Sequence, residues 1–294
     1  MNRPGENTHV RTQLQTQLQR IAAFSDDTCG GNPAGVQICE SLPSATDMQQ
    51  TAATVGYSET AFASPITDGY RVRYFSPQSE VPFCGHATIA LGAALALREG
   101  NGVFKLTLND AVISVEGECD DDIIRAALQS PPTRSRPAEA ELLASALKLF
   151  NLGHADLDAA LAPALIHAGA DHLLLGLKHR ETLANMAYNL AAGKALMDAY
   201  GLITIVLAWP ESPRLFHTRN PFASGGVYED PATGAATAAL AGYLRDIDWP
   251  HQGSIDIIQG EDMGMRSLLH ADIPAAPGSS IRVSGSARIM SSVQ

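Results

Sequence analysis

The stretch EVPFCGHATIAL (residues 80–91) recurs without a gap as EDPATGAATAAL (residues 229–240). The two copies share a Glu, Pro, Gly, Ala, Thr, Ala, Leu frame, and they stand about half of the 294-residue chain apart. Similarity at a fixed offset is the mark of repeated architecture. The sequence therefore predicts two like domains.

Each copy is predicted to be a turn that leads into a helix, since Pro and Gly precede a run of small residues. The free N–H groups at such a helix start attract anions. Two facing turns would hold a carboxylate between them. The copies differ at three positions that carry ionisable or polar groups, namely Val81/Asp230, Cys84/Thr233 and His86/Ala235. This asymmetry is the outline of an acid–base site.

Composition narrows the class of partner. Hydrophobic residues make up 45% and charged residues 17% of the chain, which is usual for globular proteins. The formal net charge is −11. An acidic chain without a basic run is not expected to bind nucleic acid or anionic membrane surfaces.

Cysteine spacing and hydropathy argue against disulfide-rich, zinc-binding, secreted and membrane-spanning proteins. The four cysteines, Cys29, Cys39, Cys84 and Cys119, show no CxxC pair, so neither a zinc site nor a disulfide framework is expected. The first twenty residues lack the apolar core of a secretion signal. No apolar run approaches the roughly 18 residues that a membrane span needs. A cytoplasmic location is the expectation.

Hydrophobic periodicity predicts an α/β chain in two halves. Strands are predicted at residues 19–24, 34–38, 59–63, 70–75, 104–108, 111–116, 171–177, 202–208, 254–259, 266–271, 280–283 and 287–290. Helices are predicted at 46–54 with Ser44 or Thr46 as cap, 87–99, 138–150, 157–162, 180–199 and 234–244. Pro131 and Pro132 open the clearest linker.

Five segments together resemble the PhzF-like isomerase family, the phenazine biosynthesis-like proteins. They are GNPAGV (31–36), YSET (57–60), FSPQSEVPFCGHAT (75–88), EDPATG (229–234) and QGEDMG (259–264). Each is weak alone, but they stand in the family's order and at its spacing. The resemblance covers about residues 19–290.

The resemblance implies an α/β (α+β) fold of the diaminopimelate epimerase type. Two pseudo-symmetric domains would each wrap strands around a central helix, with the site in the cleft, and the chain would form a homodimer. The implied organisation is a flexible lead-in (1–18), an N-terminal domain (19–130), a C-terminal domain (131–279) and return strands to the first domain (280–294).

The family's general acid–base glutamate matches Glu59, which would take a proton from an activated carbon and return one elsewhere. A carboxylate does this best when burial raises its pKa toward the working pH. His86 matches the family's histidine. A histidine at a helix start tends to stay neutral, so it would shuttle a proton or polarise a carbonyl.

Asp230 matches the family's aspartate and would accept a bond from a substrate amine, besides serving as a turn residue. A second set of residues would bind substrate through backbone donors and the walls of the site: Asn32, Pro33, Cys84, Gly85, Thr233, Gly234 and Ala235.

Two residues restrict the chemistry and the substrate. Related racemases place one cysteine in each turn, but the second turn here has no sulfur, so Cys84 is expected to be a small buried filler. Family members that act on the phenazine precursor tend to carry serine where this chain has Ala235. The resemblance therefore does not extend that substrate to this chain.

The leading hypothesis is an isomerase that moves a proton on a small carboxylate-bearing metabolite, amino acid-like or a cyclic dienyl acid, without metal or cofactor. An amino-acid racemase or epimerase is the alternative within enzymes. A non-catalytic ligand-binding or interaction protein on the same fold is the alternative from another class. A metal-dependent enzyme is disfavoured, since Cys84 and His86 alone are a poor ligand set.

Overall fold

The structure is a computed structural model that describes residues 17–121 and 123–291. Residues 1–16 of the predicted lead-in and the last three residues of the predicted return segment lie outside the described residues. The described chain divides into two compact units. The first comprises residues 17–23, 33–128 and 286–291, and the second comprises Phe24–Asn32 and Gln129–Gly285. The division into domains 19–130 and 131–279, with return strands at 280–294, stays a prediction.

The first unit surrounds one long helix with strands. Its elements are β1 (Gln19–Ala23), β2 (Asn32–Ile38), α1 (Ala45–Val55), β3 (Thr60–Ile66), β4 (Gly69–Phe75), β5 (Glu80–Val81), α2 (Gly85–Glu99), β6 (Gly102–Thr107), β7 (Val112–Asp120) and β8 (Ile123–Gln129). β2 pairs in parallel with β3, and β4 with β6. The β3–β4, β4–β5, β6–β7 and β7–β8 pairs are antiparallel.

Helix α2 is the centre of this unit because its residues are small enough to be buried on every side. All positions from His86 to Ala96 are buried. A Cβ on Gly92 would lie 2.5 Å from a methyl of Val115, and one on Gly117 would lie 2.3 Å from the Gly92 carbonyl oxygen. Glycine at both positions therefore lets β7 pass directly against the helix.

The second unit repeats this plan. Its elements are β9 (Arg134–Pro137), α3 (Ala140–Leu149), β10 (Ala164–His167), β11 (Asp171–Gly176), α4 (Arg180–Ala184), α5 (Leu190–Tyr200), β12 (Thr204–Ser212), β13 (Leu215–Phe222), β14 (Val227–Asp230), α6 (Gly234–Asp246), β15 (Ser254–Gln259) and β16 (Ser267–Asp272). Helix α6 is buried from Ala236 to Arg245 and packs on β9, β10 and β16. A second apolar cluster gathers α3, α5, β11 and β12.

The final strand, β17 (Arg282–Ile289), is shared between the units. Its first residues pair with β16 in the second unit, where Val283 faces Ala271. Its last residues pair with β1 in the first unit, where Ile289 faces Ile21. The prediction of two separate strands at 280–283 and 287–290 was wrong, since the polar SGS run between them continues the same strand.

In each unit the duplicated stretch starts in the second strand of a hairpin, β5 or β14, and continues through a turn into the central helix. Glu80 accepts two bonds from Arg73, with Nε at 2.7 Å and Nη2 at 2.6 Å. Glu229, its counterpart in the repeat, accepts two bonds from Arg219 at 3.0 and 2.5 Å. Each pair ties the strand before the turn to its neighbour, so the repeat preserves an ion pair as well as a sequence frame.

The predicted helix at 157–162 was wrong. Leu157 forms a β-bridge with Leu177, and the Asp158 amide donates to the Gly176 carbonyl at 2.9 Å. The Asp158 carboxylate then accepts from the Ala160 amide at 2.9 Å. Such an Asx turn competes with helix formation. The proline at position 163 further disfavours helical backbone before it.

The predicted long helix at 180–199 is two helices, Arg180–Ala184 and Leu190–Tyr200. The second helix has its own start, where the Asn189 side chain accepts from the Ala192 amide at 2.9 Å. Asparagine is among the strongest N-cap residues, and its position inside the apolar pattern was the overlooked signal. Strands β5, β8, β9, β10, β13 and β14 were also absent from the sequence-based prediction.

The bounds of the other helices and strands agree with the predicted bounds within a few residues. Ser44 caps α1 as predicted, accepting from the Asp47 amide at 3.2 Å. The strands predicted at 104–108 and 111–116 correspond to β6 and β7, which pair antiparallel. Within residues 17–121 and 123–291, every helix is too short or too polar to cross a bilayer.

Candidate active site

Glu59 lies immediately before β3, at the end of a turn that follows α1. Its carbonyl oxygen accepts from the Gly35 amide of the parallel strand β2 at 3.2 Å. A Cβ on Gly35 would lie 2.6 Å from the Thr60 hydroxyl, so glycine permits the two strands to approach here. The Glu59 side chain retains 15% exposure. It is therefore a largely buried carboxylate on backbone that is hydrogen-bonded to the neighbouring strand.

Helix α2 begins beside it. Cys84 is the residue before the helix, Gly85 is its first residue and His86 its second. Cys84 and His86 are buried. The first N–H groups of any α-helix lack a partner within the helix, which makes this start a local donor site. A Cβ on Gly85 would meet no described atom within 4 Å, so there is free volume beside the first turn.

Glu59, Cys84 and His86 meet as one cluster. The Glu59 Oε2 atom lies 3.5 Å from the His86 Nε2 atom. The Cys84 Sγ atom lies 3.5 Å from the same carboxylate oxygen and 3.3 Å from the His86 Nδ1 atom. The Ser58 hydroxyl lies 3.3 Å from Nε2. Cys84 is buried as expected, but its thiol packs against the two ionisable groups rather than filling an apolar gap.

A short chain of buried hydrogen bonds holds the backbone of this helix start. The Thr88 hydroxyl donates to the Cys84 carbonyl at 2.7 Å. Its oxygen therefore accepts from the Tyr74 hydroxyl, also at 2.7 Å. Burial raises the pKa of Tyr74 well above its ordinary value, so this phenol stays protonated even in alkaline solution. Tyr74 and Thr88 thus position Cys84 and the residues that follow it.

Replacing Tyr74 by Phe is expected to lower the free energy of unfolding by about 1 kcal/mol, the usual loss for one buried hydrogen bond. Urea unfolding measures it. Tyr200→Phe, at a partly exposed tyrosine, is the matched control and is expected to change little. Equal stability of Tyr74→Phe and the wild type would contradict a structural role for the bond.

The second unit gathers its own polar cluster at the other copy of the repeat. The carboxylate of Asp230, the last residue of β14, accepts from the Asn32 amide at 2.7 Å and from the Thr233 hydroxyl at 2.5 Å. Asn32 also donates to the Ala232 carbonyl at 3.1 Å. Asp230 is thereby fixed in orientation by its two neighbours, as a turn residue would be.

Gln259, at the end of β15, closes this arrangement. Its amide nitrogen donates to the Asp230 carbonyl at 2.7 Å and to the Thr233 hydroxyl at 2.9 Å. Its oxygen accepts from the Thr233 backbone amide at 3.1 Å. One side chain thus ties the turn before α6 to the neighbouring strand and fixes the start of that helix.

The remaining residues predicted to bind substrate lie on these same segments. Gly234 and Ala235 are the first two residues of α6, and Pro33 follows Asn32 in β2. A Cβ on Gly234 would approach the Phe24 ring at 3.5 Å, an ordinary contact. The predicted residues therefore form two groups, one around Glu59 and one around Asp230.

The sequence reasoning missed four supporting residues. Ser58 and Gln259 stand inside motifs that were recognised, and Ser58 directly precedes Glu59. Thr88 is conserved between the two copies of the repeat, which was the available signal for a structural role. Tyr74 had no signal beyond the alternation of its strand.

Known proteins match this chain along nearly its whole length. A family model of phenazine biosynthesis-like proteins (PhzC-PhzF) matches residues 21–292. The trans-2,3-dihydro-3-hydroxyanthranilate isomerase of Pseudomonas aeruginosa is 33% identical over 276 residues, covering 90% of this chain and 91% of that protein.

Solved structures share the fold. A PhzF-family phenazine biosynthesis protein from Bacillus anthracis has a TM-score of 0.80 at 19% identity, covering 93% of this chain and 96% of that one. A probable proline racemase from Agrobacterium radiobacter has a TM-score of 0.62 at 12% identity, covering 94% and 92%. The predicted diaminopimelate epimerase-like fold, with strands around a central helix in each half, is confirmed. The chain belongs to the PhzC-PhzF family of phenazine biosynthesis-like proteins and is an isomerase.

Proposed function

We propose that this isomerase moves a proton between two carbons of a small carboxylate-bearing substrate by general acid–base catalysis, with Glu59 as the proton-transfer residue. The observation that carries the proposal is the Glu59 carboxylate, largely buried and 3.5 Å from the His86 imidazole at the start of α2. Burial and a neighbouring proton-accepting group are what carbon acid chemistry requires of a carboxylate base.

In the proposed reaction Glu59 takes a proton from a carbon next to a double bond. The electrons of that C–H bond move into the conjugated system, and a new C–H bond forms at another carbon. The Glu59 carboxyl, or the adjacent imidazole of His86, returns the proton. Because no electrons leave the substrate and no group is transferred, we propose that the reaction needs no cofactor.

The start of α2 supports binding of a substrate carboxylate. The backbone N–H groups of the first turn and the helix dipole both favour an anion there. The free volume beside Gly85 leaves space for one. We propose that Gly85 and, in the second unit, Thr233 and Gly234 supply such donors, that Cys84, Asn32 and Pro33 line the site, and that Asp230 accepts a bond from a substrate amine.

The proposed substrates are amino acid-like or cyclic dienyl acids. The Pseudomonas aeruginosa relative is named for trans-2,3-dihydro-3-hydroxyanthranilate, a cyclic dienyl amino acid of this kind. Ala235 lacks the hydroxyl that the resemblance associates with the phenazine precursor. A pocket missing one hydrogen-bonding group discriminates against the substrate that needs it. We therefore expect this chain to turn over the phenazine precursor more slowly than its natural substrate.

The test is turnover in deuterium oxide with a panel of dienyl acids and amino acids, including trans-2,3-dihydro-3-hydroxyanthranilate. Mass spectrometry and NMR should find one deuterium at the carbon that gains the proton, with the molecular formula otherwise unchanged. Inversion of single L-amino acids, followed by circular dichroism, would instead favour the racemase alternative.

Absence of turnover across the panel, together with a stoichiometric protein partner in pull-downs, would favour the non-catalytic alternative. The homodimer and the cytoplasmic location stay predictions.

A further inference from the structure

We infer that Glu59, Cys84 and His86 form a binding site for one Zn²⁺-like divalent metal ion, and that the bound ion blocks turnover. Metal binding stands on the geometry alone. The inhibitory effect rests on the proposed function, since it requires Glu59 and His86 to be the groups that handle the proton.

The three ligand atoms have the separations of a metal site. Sγ of Cys84 and Oε2 of Glu59 are 3.5 Å apart, Oε2 and Nε2 of His86 are 3.5 Å apart, and Sγ and Nε2 are 3.9 Å apart. Zinc bond lengths of about 2.3 Å to sulfur and about 2.0–2.2 Å to nitrogen and oxygen give tetrahedral ligand separations of about 3.3–3.6 Å. The widest pair, Sγ and Nε2, exceeds that range by only about 0.3 Å.

The identity of the ligands selects the metal. A thiolate, an imidazole and a carboxylate together suit Zn²⁺ or Co²⁺ rather than Mg²⁺ or Ca²⁺, which prefer oxygen ligands throughout. Three protein ligands leave the fourth tetrahedral position open for water or a substrate carboxylate. All three side chains are largely buried, so they are held in place before the ion arrives.

Neighbouring residues restrain the ligands further. The Tyr74–Thr88–Cys84 chain of hydrogen bonds fixes the backbone of the thiol ligand. The acidic chain, with a net charge of −11, attracts cations.

Binding couples to a proton and competes with catalysis. The Cys84 S–H bond breaks as the S–metal bond forms, and its proton leaves to the buffer. The ion then occupies the Nε2 lone pair of His86 and one oxygen of Glu59. While the metal remains, the imidazole cannot accept a proton, and the metal-bound carboxylate is a much weaker base toward the substrate.

The sequence argued against a metal because Cys84 and His86 alone offer only two ligands. The third ligand stands 25 residues earlier in the chain, in the turn before β3. No spacing rule connects it to the other two, so the site becomes apparent only from the fold.

Zn²⁺ affinity is measured on the purified chain by competition with a chromophoric zinc indicator. Co²⁺ binding is measured by the thiolate-to-cobalt charge-transfer absorption band. One ion per chain is expected. Cys84→Ser should lower Zn²⁺ affinity by more than about 100-fold, since even outer-shell partners change it by about 10- to 100-fold. The matched controls Cys29→Ser and Cys119→Ser should retain the wild-type affinity.

A variant with Cys84 as its single thiol (Cys29→Ser, Cys39→Ala, Cys119→Ser) should keep the charge-transfer band, which tests the site without altering it. Lack of stoichiometric binding by the wild type, or a band that survives in a folded Cys84→Ser protein, would overturn the metal site. Binding without inhibition of any measurable turnover would overturn only the regulatory inference and leave the proposed function intact.

Discussion

Replacing Glu59 by Gln is expected to lower kcat by about 10²- to 10⁴-fold, the usual contribution of a positioned general acid–base group. Glutamine keeps the length and shape of the side chain, and it can still donate or accept a hydrogen bond with Cys84 and His86. It cannot take a proton from carbon. KM is expected to change much less, because the proposed carboxylate donors at the start of α2 remain.

Steady-state kinetics in water and deuterium incorporation in D₂O together check this. Both rates should fall by the same factor, since both depend on breaking the same C–H bond. Glu118→Gln, at an exposed position of β7, is the matched control and should behave as the wild type. If Glu59→Gln is folded and incorporates deuterium at the wild-type rate, Glu59 is not the proton-transfer residue.

The sequence was sufficient to predict those features of the candidate site whose residues lie close together in the chain. The repeat at 80–91 and 229–240 identified both helix starts, and small residues explained why those helices are central. The sequence predicted Glu59 as the first residue of a strand, and the structure has it one residue before β3. Local turn chemistry, such as the Ser44 cap, was readable for the same reason: its partners are three or four residues apart.

What the sequence did not reveal depends on contacts between distant residues. The interruption of the predicted helix at 180–199 is stabilised by Arg219, whose Nη1 atom donates to the carbonyl oxygens of Ala184 at 2.9 Å and Met186 at 3.3 Å. These groups are more than 30 residues apart in the chain. A periodic apolar pattern continues through the break, so periodicity alone predicts one helix.

The ion pairs of the repeat illustrate the same limit. Glu80 and Glu229 are matched in the two copies, which marked them as equivalent. Their arginine partners are not at equivalent offsets, because Arg73 precedes Glu80 by seven residues and Arg219 precedes Glu229 by ten. The longer connection in the second unit holds an extra 3₁₀ turn at Ala223–Gly225. The arginine partners of Glu80 and Glu229 could therefore be identified only from the structure.

Replacing Arg219 by Met is expected to lower the free energy of unfolding by about 3–5 kcal/mol, because it leaves a buried carboxylate without its partner. The Arg219 and Glu229 side chains are only 8% and 3% exposed. The guanidinium also serves the carbonyl oxygens at the end of α4, which would lose their donor. Urea or thermal unfolding measures the loss, and an unstable turn before α6 should reduce turnover as well.

The repeat supplies the matched control, Arg73→Met. That pair is more exposed, at 23% and 27%, so its loss should cost about 1 kcal/mol or less. The hydrogen bond from Arg73 lowers the pKa of Glu80. The pair therefore stabilises the fold at pH values above the ordinary pKa of a glutamate. The difference between Arg73→Met and the wild type should therefore shrink as the pH falls below the ordinary glutamate pKa of about 4.3 and through the lower pKa of Glu80 in the fold.

A double variant, Arg219→Met with Glu229→Leu, separates the two contributions of the buried arginine. Removing both charges abolishes the unpaired carboxylate, so most of the stability should return. The carbonyl oxygens of Ala184 and Met186 remain without their donor, so recovery should be incomplete by about 1–3 kcal/mol. If Arg219→Met costs no more than Arg73→Met, burial does not distinguish the two pairs, and the second copy of the repeat is not anchored by its ion pair.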